Sequence, residues 1–175
     1  PAVIDSSILV SGCSALFASQ VAEQTLALLT GLVRSLPIFF RAQLKRDYTR
    51  RPTDILSDKR IGILGLGGNG RQIARVLRPI VASIAGTDLF LNECRTLVGQ
   101  GLIDELYDPA DLHALLPKVD VLIVTLPLTA ANEGLLGDLE LARMKPGSYL
   151  INVGRGSVVK TASLVKCIKN GHLAA

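Results

Sequence analysis

The sequence has no tryptophan and one methionine, and aromatic residues make up only 4% of it. A core built on stacked rings is therefore excluded. The interior must come from Leu, Ile, Val and Ala, which suits a sheet buried on both faces. Three cysteines, Cys13, Cys94 and Cys167, are far apart and odd in number. They show no disulfide or zinc spacing and read as reduced thiols of a cytoplasmic protein, with no metal site. No apolar run reaches membrane-spanning length, since "TLALLTGLV" stops at Arg34. The start carries no charged, apolar, cleavable leader, so no membrane partner is expected. The positive excess is small, 19 basic against 15 acidic residues for a net charge of +4. It permits an anionic ligand and does not by itself argue for nucleic acid.

What is present is a high apolar content, 49% of 175 residues. That rules out a disordered chain and suits one domain, or one domain plus a fragment. The chain opens on Pro1 in mid-pattern, and we read it as part of a longer protein. The first 18 or so residues, rich in Ser and without a clear period, read as a connecting segment. From Ser19 to Leu36 the spacing of Val21, Leu28, Leu29, Leu32, Val33 and Leu36 predicts a helix closed by Pro37. Arg41 to Arg51 carries five basic residues and one Asp, and reads as a solvated arm.

From Arg60 onward, strand and helix patterns alternate. "IGILG", "VASIAGTD", a short piece of "LIDELYD", "VLIVTLP" and "SYLINVG" read as strands. "GRQIARVLRPI", "DLHALLPKVD", "DLELARMKPG" and "TASLVKCIKNG" read as helices. The alternation predicts an α/β domain with a doubly wound parallel sheet covered on both faces.

The stretch "RIGILGLGGNGRQIARVL" places four glycines within six positions. Each raises the cost of ordering the backbone, and a simple turn would need one or two. Gly65, Gly67 and Gly70 form G-x-G-x-x-G directly after a strand and opening a helix. Gly65 allows the tight turn, Gly67 lets the backbone approach a pyrophosphate, and Gly70 lets the helix lie against the strand. The helix N-terminus then offers unpaired N–H groups to the phosphates. The bland alternative is a flexible strand–helix turn. Asp88, at the end of the next strand and 18 residues beyond Gly70, weighs against it. A carboxylate there accepts hydrogen bonds from ribose hydroxyls and repels a 2′-phosphate, so NAD is expected over NADP. The competing role for Asp88 is to cap the following turn. An S-adenosylmethionine-dependent methyltransferase also joins a Gly-rich loop to an acidic strand end. It ranks below, because the third glycine opening the helix is the dinucleotide feature.

Five segments together resemble the D-isomer-specific 2-hydroxyacid dehydrogenases: "VAEQTLALLTGLVRSLP", "IGILGLGGNGRQIARVL", "VDVLIVTLPLT", "GLLGDLELARMKPGSYLINVGRGSVV" and "LVKCIKNGHLAA". The resemblance runs from about Val21 to the end, and the block "MKPGSYLINVGRG" is its most specific part. It implies a Rossmann-type nucleotide domain lacking most of the substrate domain. Residues 1–18 would be the tail of that second domain and the hinge, and 19–175 an NAD-binding domain incomplete at its C-terminus.

The resemblance also implies roles. Thr25 sits in the helix facing the nicotinamide end of the cleft. Gly68 and Asn69 occupy loop positions whose backbone meets the pyrophosphate. The family often has Arg at the position of Gly68, so that side-chain contact is missing. Leu126 lies beside the adenosine. Val153, Gly154 and Arg155 border the nicotinamide, and Arg155 also matches the residue that holds the substrate carboxylate and polarises its 2-oxo group. A guanidinium fork suits a planar carboxylate beside a carbonyl better than an ammonium does. The bland reading of Arg155 is a surface ion pair.

The family's proton-donating His and its Glu partner match no position within these 175 residues. His113, in an apolar helical pattern, and His172, at a helix C-terminus, are poor substitutes. Lys160 stands where the family tends to have Asp, which puts the local ion pairing in doubt. The expected function is hydride transfer between NAD(H) and a small D-2-hydroxyacid or 2-oxo acid, with this chain as the nucleotide-binding part. It would act as a homodimer through the region of "LPIFF", Leu36 to Phe40. The alternative is an NAD-sensing, corepressor-type binding protein of the same fold. Nucleic-acid binding through Arg41 to Arg51 is disfavoured, because only Tyr48 offers an aromatic platform.

Overall fold

The computed structural model describes residues 6–9, 12, 13 and 15–175. Part of the predicted connecting segment, residues 1–5, 10, 11 and 14, lies outside the described residues. Five strands follow in chain order: β1 Arg60–Leu64, β2 Ser83–Thr87, β3 Glu105–Tyr107, β4 Val121–Val124 and β5 Tyr149–Asn152. All pair in parallel in the spatial order β3-β2-β1-β4-β5. The order reverses between β1 and β4, so the crevice beyond their carboxyl ends is where this architecture receives a ligand.

Seven α-helices accompany the sheet among the described residues: α1 Ala18–Val33, α2 Leu36–Leu44, α3 Gly68–Leu77, α4 Leu91–Gly99, α5 Leu112–Leu115, α6 Asp138–Arg143 and α7 Thr161–Lys169. One face of the sheet presents Ile61, Ile63, Ile84, Val121 and Ile123, packed with Leu29 of α1, Ile73 and Leu77 of α3, and Leu97 of α4. The other presents Leu64, Leu122 and Val124, packed with Leu112 and Leu115 of α5, Leu141 of α6 and Cys167 of α7. Adjacent residues of β1 and β4 thus feed opposite cores, which is why their sequences are apolar without alternation. Truncating a buried residue such as Ile63 to Ala costs about 2–5 kcal/mol.

The first predicted helix needs correction. It ends at Val33, Ser35 takes a left-handed conformation (φ 55°), and Pro37 opens α2 instead of closing α1. Proline suits a first helical turn, where its missing N–H has no partner to lose. Leu28 and Leu36, expected on the buried stripe, are 43% and 40% exposed. The buried face is instead Ala18, Ala22, Thr25, Leu29 and Val33. Small residues there let α1 lie close against α3.

The basic arm is corrected in part. Its first residues complete α2, and beyond Leu44 the chain is irregular, with Asp47 accepting from Thr49 and paired with Arg51. No single described helix is long and apolar enough to cross a bilayer, and α1 and α2 meet at a 63° bend.

Two further differences concern helices. α3 stops at Leu77, and Ile80, expected on its buried face, is 37% exposed in a 3-10 turn around Pro79. The sequence reading assigned no helix to "LNECRTLVG", which forms α4 on two buried anchors, Cys94 and Leu97. After α7 the chain returns to the outer edge of β5. Ala174 donates to Ser148 O at 2.9 Å and Leu150 donates to Ala175 O at 2.9 Å, so the last residues begin to pair alongside it.

Candidate nucleotide site

The glycine loop leaves β1 at Gly65, whose φ of +96° only glycine adopts without strain. A Cβ on Gly70 would overlap the carbonyl oxygen of Gly65, so α3 can start this close to β1 only with glycine there. Gly67 is the opposite case. A Cβ built on it meets nothing within 4 Å, and the first turn of α3 has no side-chain cap. The loop is closed toward the sheet, and at Gly67 it is open outward, with the first-turn amides left without a side-chain cap. That is the shape and polarity a pyrophosphate requires.

The loop is fixed from both sides. Gly65 donates to Thr87 O at 2.9 Å, and Leu66 donates to Asp88 Oδ2 at 2.6 Å. Arg71 donates through Nε to Leu66 O at 2.7 Å. On the other flank, Thr125 Oγ1 donates to Gly65 O at 2.7 Å. Gly68 lies under the chain entering α1, where an added Cβ would stand 2.5 Å from that of Ala15. Asn69 is half-buried in the first turn of α3.

Asp88 takes the capping role weighed for it, together with a bond to the glycine loop. One oxygen holds the glycine loop and the other accepts from Phe90 N at 3.0 Å, capping the turn into α4. Beside it lies a pocket of about 170 Å³, walled by Leu64, Leu89, Pro109, Leu112, Leu126 and Leu135. Thr87, Asp88, Thr129 and Asn132 supply its polar groups. It opens at the carboxyl ends of β1, β2 and β4. It has room for one ring system, which suits the base of a dinucleotide whose phosphates reach the glycine loop.

The loop after β5 carries Val153, Gly154 and Arg155. A Cβ on Gly154 would stand 2.6 Å from Leu126 O, so this glycine lets the ends of β4 and β5 touch. Asn152 pins the turn: its Oδ1 accepts from Gly154 N and its Nδ2 donates to Arg155 O, both at 3.0 Å. The Arg155 guanidinium is exposed. It donates to Gly154 O at 3.3 Å, and it forms no ion pair among the described residues. The surface ion pair weighed for it is absent there.

Thr25 is fully buried in α1, and its hydroxyl donates to Val21 O at 2.7 Å. Its proton is spent inside the helix, which leaves only a lone pair for any ligand. His113 Nε2 lies 3.0 Å from Glu140 Oε1, joining α5 to α6. Burial alone would push the Glu140 carboxyl up, but hydrogen bonds from His113 and Gly137 N hold it below its ordinary value. His172 Nε2 lies 3.1 Å from Leu141 O. Both histidines are engaged in structural contacts.

Residues 26–175 match the family model described as "D-isomer specific 2-hydroxyacid dehydrogenase, NAD binding domain". The chain belongs to this family. Among curated relatives it is 32% identical over 156 residues to the D-3-phosphoglycerate dehydrogenase of Bacillus subtilis (strain 168), covering 87% of this chain and 28% of that enzyme. It is 27% identical over 181 residues to the D-lactate dehydrogenase of Lactiplantibacillus plantarum, covering 99% of this chain and 51% of that enzyme. The chain thus spans about half the length, or less, of these relatives.

Two solved structures show the same fold. The NAD-dependent formate dehydrogenase of Staphylococcus aureus, in complex with NAD, superposes with a TM-score of 0.81 at 25% identity, covering 92% of this chain and 48% of that one. A D-isomer specific 2-hydroxyacid dehydrogenase from Xanthobacter autotrophicus Py2, in complex with NADPH and MES, gives 0.79 at 27%, covering 97% and 68%.

Against the family pattern, the chain's departures have local structural settings. Gly68, where the family often has Arg, is overlain by Ala15. Lys160, where the family tends to have Asp, forms no ion pair among the described residues, and its stem runs over Gly134 and Gly137. Sequence reasoning missed Arg71, Thr125, Asn132 and Asn152, which fix the loops of the site. It also missed Thr87. Arg71, directly after Gly70, Thr87, directly before Asp88, and Asn152, beside "VGRG", stood next to recognisable features.

Proposed function

We propose that this chain is the nucleotide-binding part of an NAD-dependent oxidoreductase that interconverts a small D-2-hydroxyacid and its 2-oxo acid. The observation that carries this reading is Arg155. Its guanidinium stands exposed and without a carboxylate partner among the described residues, on a loop that Gly154 seats against β4. The open glycine loop and the pocket beside Asp88 support the cofactor half.

In this reading the amides at Gly67, Gly68 and Asn69 bind the pyrophosphate. Asp88 accepts from the ribose hydroxyls, and its charge favours NAD over NADP. Leu126 lines the adenosine pocket. Val153, Gly154 and Thr25 border the nicotinamide end. Bound NAD supplies the hydride carrier. Arg155 orients the substrate carboxylate and draws electron density from the 2-oxo group, so that charge developing on that oxygen meets a fixed cation. Neither His113 nor His172 serves as the proton donor, since each holds a structural partner. The family's His and Glu would come from outside these 175 residues, as would most of a substrate domain. Residues 1–18 would form the hinge to it, and the whole would work as a cytoplasmic homodimer without nucleic-acid or membrane partners.

The test is NADH oxidation with glyoxylate, pyruvate, hydroxypyruvate and phosphohydroxypyruvate. The 175-residue chain is expected to bind NADH and turn over slowly or not at all, since loss of a general acid alone costs about 10²–10⁴ in rate. A protein that joins this chain to a substrate domain is expected to turn over. Full turnover by the short chain would return His113 or His172 to the proton-donor role. Binding without turnover by the larger protein would favour the NAD-sensing alternative.

A further inference from the structure

The pocket beside Asp88 is lined by seven apolar residues, Ala131 among them, and four polar ones, and three of those four have settled partners. Both Asp88 oxygens accept backbone N–H groups. Asn132 Oδ1 accepts from Thr129 N at 2.8 Å and its Nδ2 donates to Pro127 O at 2.7 Å, tying off the loop that closes the pocket. Thr129 is exposed, so water satisfies its hydroxyl.

Thr87 differs. It is 6% exposed, and its hydroxyl has no hydrogen-bond partner among the described residues. A buried neutral hydroxyl left unpaired has given up water and gained no partner in exchange. The backbone offers no escape, because Thr87 pairs with Leu64 of β1 on one side and Tyr107 of β3 on the other. Its carbonyl also accepts from Gly65 N. The hydroxyl oxygen is itself sealed from solvent in this rotamer, so rotation about Cα–Cβ is what turns it to the pocket wall that Thr87 lines.

We propose that Thr87 reads the base of the bound nucleotide: its hydroxyl forms a hydrogen bond with the edge of an adenine ring lodged in this pocket, while Asp88 serves the ribose. The proposal rests on the dinucleotide reading of the site. Apolar walls hold a ring by burial but fix its rotation weakly. A single hydrogen-bonding group at the pocket wall selects one orientation, because the others leave that group unpaired. Adenine presents ring nitrogens as acceptors and an exocyclic amine as donor, and a hydroxyl can answer either.

The experiment compares the chain with Thr87→Val, which keeps the volume and removes the polar group, and with Thr87→Ser, which keeps the hydroxyl. Calorimetric titration with ADP-ribose and NAD measures affinity, and thermal melting without ligand measures the fold. Thr87→Val is expected to bind both ligands about 3–10-fold more weakly, the range of one lost hydrogen bond. Its melting temperature should stay equal or rise, because an unpaired buried hydroxyl has been removed. Thr87→Ser should bind within about twofold of the parent.

Unchanged affinity in Thr87→Val would overturn the proposal. So would lost affinity accompanied by a lowered melting temperature, which would place the hydroxyl in the fold. If the unaltered chain bound neither ADP-ribose nor NAD, the dinucleotide reading would fall and this proposal with it.

Discussion

Asp88 Oδ2 accepts the backbone N–H of Leu66 at 2.6 Å, joining the end of β2 to the middle of the glycine loop. The residue proposed to meet the ribose therefore also shapes the turn proposed to meet the phosphates. Two functions on one carboxylate make its substitutions informative.

Asp88→Ala removes both functions. It is expected to weaken NAD binding by about tenfold or more, as loss of charge-assisted hydrogen bonds implies. Asp88→Asn keeps an acceptor for Leu66 and removes the charge, so it should narrow the gap between NAD and NADP with less loss for NAD. Titration of each variant with both cofactors measures this. Equal affinity of the unaltered protein for NAD and NADP would contradict the selectivity.

Gly67 and Gly154 should separate binding from stability. A methyl at Gly67 meets no protein atom within 4 Å, so Gly67→Ala should leave denaturant unfolding of the free chain nearly unchanged. It should still weaken NAD binding, because the methyl enters the space a pyrophosphate would fill. A methyl at Gly154 stands 2.6 Å from Leu126 O and must push the ends of β4 and β5 apart. Gly154→Ala is expected to cost about 1–3 kcal/mol, the usual range for overpacking. The reverse pattern, with Gly67→Ala the unstable variant, would refute the assignment of open and closed faces.

Glu140 should contribute acid-sensitive stability. Its carboxylate holds His113 at 3.0 Å and accepts from Gly137 N at 3.1 Å, and its folded pKa lies below the ordinary 4.5. A carboxylate with a lowered folded pKa stabilises the fold fully above its unfolded pKa. That contribution disappears as pH falls through the folded value. Glu140→Gln should therefore be less stable than the parent by about 1 kcal/mol at neutral pH, with the difference shrinking below pH 4.5. Chemical denaturation across pH 3–7 gives the comparison. A difference that grows toward acid would show the sign to be wrong.

The proposed homodimer has a specific surface. Leu36, Ile38, Phe40 and Leu44 of α2 are 40%, 43%, 61% and 86% exposed, and an apolar group of this kind suits an interface. Phe40→Glu is expected to shift the chain from dimer to monomer in light scattering at micromolar concentration, with the helical content by circular dichroism unchanged. A parent chain that is already monomeric would exclude this interface.

The parallel sheet was legible because strands buried on both faces need continuous apolar runs, and "IGIL" and "VLIV" are such runs. The glycine spacing was legible because backbone clashes restrict those positions to one residue type. The second helix was misread, since Pro37 ends one helix pattern as readily as it begins another. The αL turn at Ser35, which decides between them, leaves no mark in composition. α4 was invisible because two buried anchors, Cys94 and Leu97, are too few to establish a period.

By itself, the sequence determined the succession of the five strands, the position of the glycine loop, the acidic end of β2 and the Arg-bearing loop after β5. Each of these depends on residues close together in the chain, where sterics and periodicity act directly. Only the tertiary structure decided that Asp88 supports Leu66, that Thr87 is buried without a partner, and that Gly154 touches Leu126. It likewise decided that His113 is committed to Glu140. These relationships join positions 22 to 28 residues apart, and each depends on which strand or helix becomes whose neighbour. Packing of the whole sheet sets that choice, and local pattern carries no record of it.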